Sequence, residues 1–120
     1  MEIQNKVSIW LGNKNSNDSL KKYMEEVYTE DGDINSDFMS SFEIDYIDNQ
    51  FQEVLFCGSG NSKNEIFEDF SYKESYIDKL PNLNWESFNS VICLYNFKYT
   101  GEIENADDFK FIGTFDFVDE

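Results

Sequence analysis

The feature that most narrows the possible folds is the run 91–99, in which the odd positions Val91, Cys93, Tyr95, Phe97 and Tyr99 are all apolar or aromatic. The even positions are Ile92, Leu94, Asn96 and Lys98, so a strand here buries one face along its length and the other only over its first half. Such a strand belongs at the centre of a sheet. The alternation returns over 109–117, with Phe109, Phe111, Phe115 and Phe117 in register, and the polar stretch between the two runs predicts a hairpin with a long loop.

Residues 6–12 predict a first strand, with Val7, Ile9 and Leu11 on one face, Ser8 and Trp10 on the other, and a turn at Gly12-Asn13. The period then changes. Leu20, Tyr23, Met24, Val27 and Tyr28 follow helical spacing behind a cap at Asp18, and the Asp, Gly and Asn content of 29–35 predicts a loop. Short helices are predicted through Phe38, Met39 and Phe42 behind Ser36 or Asp37, and through Phe51, Val54 and Leu55 behind Asp48. Ser62 with Glu65 and Ser71 with Glu74 fit capping boxes ahead of apolar residues at helical spacing, and Pro81 ends the second.

This order predicts one α+β domain over residues 1–120: a mostly antiparallel sheet of at least three strands, with helices inserted between the first strand and a C-terminal β-hairpin and packed on one face. Trp10, Ile92, Leu94 and Ile112 make the opposite face apolar. Either a helix from 36–80 covers them or they form a surface for a partner or a second copy.

Twenty-five acids against nine lysines leave a net charge of −16, with neither arginine nor histidine. Nucleic acid and anionic membrane are therefore poor partners, since both need cationic side chains to displace phosphate counterions. Histidine catalysis, histidine metal sites and arginine clamps are excluded by composition. Cys57 and Cys93 lack metal or redox spacing and read as thiols of a reducing compartment. The first residues carry no secretory pattern, and no apolar stretch approaches a membrane span of about 20 residues, so a cytoplasmic location is expected.

The charge is uneven: residues 23–62 hold ten acids and no lysine, a net of −10. Acidic runs are commonly solvated faces, but ten uncompensated carboxylates repel one another, and a cationic partner would relieve that. The stretch 31–37 has oxygen ligands at alternating positions, as calcium loops do. It lacks their turn glycine and terminal acid: counted from Asp31 those positions hold Ser36 and Phe42. Gly58-Ser59-Gly60 is too short for a phosphate loop, and no nucleophile and base can be paired, so neither an enzyme nor a cofactor or metal is expected. A calcium-binding module or a structural interaction module is one reading of such a chain.

The run 7–13, the amphipathic helix after it and Tyr28-Thr29-Glu30-Asp31-Gly32-Asp33 resemble the start of the immunity protein 22 family of bacterial polymorphic toxin systems. Phe42-Glu43-Ile44-Asp45-Tyr46, Phe70-Ser71-Tyr72, Leu94-Tyr95-Asn96-Phe97-Lys98-Tyr99 and Phe109-Lys110-Phe111-Ile112-Gly113 look like later motifs of that family in the same order, so the resemblance spans about 7–117. It implies a small cytoplasmic protein that binds and neutralises a cognate toxin, often a nuclease; the chain itself is expected to be a monomer or a weak homodimer. The resemblance carries over no active site. Combined with the charge pattern, it nominates Glu30, Asp31, Asp33, Asp37, Asp45 and Asp48 as partner contacts, with Tyr46 as an apolar anchor.

Overall fold

The computed structural model describes residues 2–118, and of Asn49 the backbone only. Strand β1 (Glu2–Gly12) is followed by helix α1 (Asn17–Met24), the two-residue strands β2 (Val27–Tyr28) and β3 (Ile34–Asn35), and helix α2 (Asp37–Ser41). Strand β4 (Gln52–Phe56), the short helices α3 (Lys63–Ile66) and α4 (Lys73–Tyr76), and strands β5 (Ser90–Phe97), β6 (Asn105–Ala106) and β7 (Phe109–Asp116) follow. Five strands form one sheet in the order β4-β5-β1-β7-β6, antiparallel at every pairing, while β2 and β3 form a separate ribbon. The α+β class, with helices between β1 and the C-terminal strands, is as expected.

The position of the 91–99 run is not. The middle strand is β1, which separates β5 from β7, so the two long runs never pair. The C-terminal hairpin is β6 with β7, joined at Ala106 and Phe109. The reason lies in β1 itself: Val7, Ser8, Ile9, Trp10 and Leu11 are all fully buried, which requires a neighbour on each edge and cover on each face.

Helices cover both faces, not one. On the first face Trp10, Ile92 and Leu94 pack with Leu20, Tyr23 and Met24 of α1 and Phe38 and Met39 of α2. On the second, Val7, Ile9, Leu11, Val91 and Cys93 pack with Ile66, Phe67 and Tyr76 from the α3–α4 region and with Trp85. The apolar face predicted to need cover therefore has it. Trp10 lies among Phe38, Phe42, Tyr99 and Phe111 at ring-centroid distances of 5.0 to 5.9 Å. Such pairs contribute about 0.5–1.5 kcal/mol each beyond burial.

Two bulges redistribute the alternation. Asn96 takes φ +57°, so Val91, Cys93 and Tyr95 stay on the second face while Phe97 and Tyr99 join the first. Opposite Ile9 and Trp10 the register skips a residue: Ile9 faces Gly113 and Trp10 faces Phe111. Gly113, at φ +142°, absorbs the change, which sends Ile112 to the face opposite Trp10. The expected grouping of Ile112 with Trp10 fails for this reason.

Several helix limits also differ. Ser16, not Asp18, caps α1 by accepting the Ser19 N–H, and the helix stops at Met24, leaving Val27 and Tyr28 exposed in β2. Of the two cap candidates for α2, Ser36 takes the role, accepting the Met39 N–H at 3.1 Å. The segment behind Asp48 makes one 3-10 turn, Asn49–Phe51, and then enters β4, because Val54 and Leu55 pair with Ile92 and Val91. The Ser62–Glu65 capping box is present. The Ser71–Glu74 box is not: Ser71 gives its hydroxyl to Glu53, and Tyr72 precedes α4 at φ +59°.

Candidate partner-docking surface

The acidic segment between α1 and β4 reaches the surface as two adjoining pieces. In the first, Tyr28 pairs with Ile34 across the ribbon, and the turn between them closes when Thr29 donates to the Asp33 carbonyl at 2.8 Å and Gly32 to the Thr29 carbonyl at 3.0 Å. Gly32 lies at φ +85°, and the Thr29 hydroxyl accepts the Asp33 N–H at 3.2 Å. Glu30, Asp31 and Asp33 stand exposed on this turn.

The second piece leaves α2 at Glu43, whose φ of +55° turns the chain, and runs through Ile44 to Ile47. Ile44 and Ile47 point into the core, and Asp45 and Tyr46 point out. Gly32, Asp33, Ile34, Met39, Asp45, Tyr46 and Ile47 line a recess of about 220 Å³. The fold thus brings Asp33, Asp45 and Tyr46 together. Beyond Tyr46 a groove of about 350 Å³ is lined by Glu2, Glu43, Asp45, Phe97, Tyr99 and Gly101, among others. The Tyr99 hydroxyl donates to the Phe42 carbonyl at 3.0 Å, fixing one wall.

Two nominated residues, Asp37 and Asp48, do not line the Tyr46 recess. Asp37, the first residue of α2, borders a separate depression with Lys14, Tyr23, Ser41 and Asp107. A cation already occupies that neighbourhood: Lys14 Nζ sits 4.1 Å from the centre of the Tyr23 ring. Burial raises the Tyr23 pKa to about 12, so its ring face stays neutral. Asp48 is half-buried, and its carboxylate accepts the Gln50 N–H at 3.1 Å, which makes it the organiser of the 3-10 turn.

Sequence reasoning passed over Glu2, Tyr28, Ile34, Glu43 and Phe51. Tyr28 is 78% exposed, Tyr46 59% and Phe51 42%, an unusual display of large apolar side chains in a lysine-free segment. A signal for the first was present: Asp31-Gly32 between the short apolar runs at Val27-Tyr28 and Ile34 is a hairpin pattern. Glu2 and Phe51 had none, since only folding brings β1 and the 3-10 turn near this surface.

Among the described residues no group of three or more Cys, Asp or Glu side chains is placed to hold a metal ion, and no helix is long and apolar enough to cross a membrane. Comparison with family models matches residues 7–118 to one described as Immunity protein 22. No curated protein and no solved structure matches the chain. With a match over nearly its whole length, the chain belongs to the Immunity protein 22 family, and its role is toxin immunity in the general sense of that family.

Proposed function

We propose that this protein neutralises one cognate toxin inside the bacterial cytoplasm by presenting the surface around Tyr46 and the β2–β3 turn to a cationic face of that toxin. A nuclease supplies such a face, because its cleft must present lysine or arginine to phosphate. The observation that carries the reading is the convergence of Asp33 and Asp45 on the half-exposed Tyr46 within a segment that contains no lysine. The carboxylates steer association and form charge-assisted pairs at the rim, while Tyr46 and Tyr28 offer rigid apolar area at the centre. The protein acts by occupancy, as one domain and without turnover.

Co-expression with the toxin encoded beside it should restore growth. Charge reversal at Asp31, Asp33 and Asp45 together should slow association about 10- to 100-fold at low salt, with the difference shrinking as salt rises. Tyr46→Ala should weaken binding about 30-fold, chiefly through faster dissociation. Association rates that ignore both the reversal and the salt would reject the acidic surface, even if growth is restored.

A further inference from the structure

The sheet has two outer edges, and they are finished differently. Beyond its pairing with β6, the edge of β7 is blunted by the Gly113 bulge and ends at Asp116, which is paired with Lys6. The edge of β4 has none of these devices. Its sequence is Gln-Glu-Val-Leu-Phe, without lysine or proline, it pairs with β5 with no register shift, and all five residues are half-exposed. Its one charge, Glu53, is turned onto the second face of the sheet. There the carboxylate accepts the Ser71 N–H at 2.9 Å, the Ser71 hydroxyl at 2.5 Å and the Tyr95 hydroxyl at 3.1 Å. A charge so fully partnered does not guard the edge.

The outward groups can be assigned. Cys57 donates its N–H to the Asn89 carbonyl at 2.8 Å, and in an antiparallel ladder the inward groups recur every second residue, so Leu55 and Glu53 also bond toward β5. Gln52, Val54 and Phe56 then direct their N–H and C=O groups away from the sheet. Among the described residues none of these outward groups hydrogen-bonds to another part of the chain.

We propose that this edge is a second docking element, onto which a cationic partner adds an extended segment carrying lysine or arginine at alternate positions as a sixth strand. The inference rests on the reading above that the partner is cationic. Charge decides the occupant: β4 lies within the lysine-free segment 23–62 of net −10, so a second copy would set two such segments side by side, whereas a basic strand is complementary. The edge also continues the docking surface, since the exposed Phe51 immediately precedes Gln52.

The test is amide hydrogen exchange on the full chain, followed by NMR, with a lysine–valine alternating octapeptide as probe and a proline-interrupted peptide of the same charge as control. The alternating peptide at saturation should slow exchange at Gln52, Val54 and Phe56 about tenfold or more, and the control should not. Val54→Pro, which removes an outward N–H and leaves the ladder to β5 intact, should abolish this protection, with a thermal melt to check its fold. Equal protection by both peptides, or protection confined to residues 29–33 and 43–47, would overturn strand addition while leaving the acidic surface as a cation site. No protection from either peptide would also overturn it, and the co-expression result would then decide the broader reading separately. Protection of the same amides that grows with protein concentration alone would place a second copy on the edge, against the proposal.

Discussion

Ser8 shows how one small polar residue can hold a sheet whose ladder is interrupted. Fully buried in β1, it donates to the Phe97 carbonyl at 2.8 Å and accepts both the Tyr99 N–H at 3.0 Å and the Thr114 hydroxyl at 2.8 Å. It thereby satisfies backbone groups that the Asn96 bulge removes from regular pairing. Ser8→Ala should lower stability by about 1–3 kcal/mol in denaturant unfolding, because those groups stay buried without partners. A second consequence at this scale concerns tyrosines. Burial raises the pKa of Tyr23 to about 12 and pushes those of Tyr76 and Tyr95 higher still, the latter two sharing a hydrogen bond of 2.9 Å. The unfolded chain ionises near the ordinary 10.0 while the folded chain keeps its protons. The stability present below that value is therefore lost as pH rises toward 12, and Tyr76→Phe should flatten the fall in unfolding midpoint measured from pH 9 upward.

The start of α3 was legible in a four-residue pattern. The Ser62–Glu65 box forms, with Ser62 N–H to Glu65 Oε1 at 2.9 Å and Glu65 N–H to Ser62 Oγ at 3.3 Å. Those bonds hold the Glu65 carboxyl below its ordinary 4.5, so its contribution is present above that value and disappears as pH falls through the lowered one. Glu65→Gln, which keeps the cap without the titration, should lose less stability than the parent chain between about pH 5 and pH 2.5 in circular-dichroism melts. Ser71 and Glu74 match the same pattern and form no box, because Glu53 arrives from β4 and claims Ser71. The helical spacing at Val27 and Tyr28 misled for a related reason. Met24, the last residue of α1, still belongs to the core cluster of Phe38 and Phe42, whereas Val27 and Tyr28 lie beyond it, exposed in the β2–β3 ribbon.

For the molecule as a whole, a net charge of −16 on 120 residues is a standing repulsion that folding concentrates. Sodium chloride at about 0.5 M should raise the melting temperature by roughly 3–5 °C, since screening relieves the folded state more than the expanded one. A melting temperature indifferent to salt would mean that the carboxylates are spaced widely enough not to repel. The residues alone determined the α+β class, the apolar runs that become β1, β5 and β7, the cap at Ser62, and the lysine-free acidic segment. Each of these is written in neighbours or in composition. Tertiary structure decided the rest: which run takes the centre, which face receives Phe97, Tyr99 and Ile112, and which acids share a surface. Strand order follows from what must be buried on both faces, and a single bulge reverses every later side chain, so neither is encoded locally. Asp33 and Asp45 meet at Tyr46 while Asp37 and Asp48 do not, because their positions are set by the packing of α2 and β4 on the sheet.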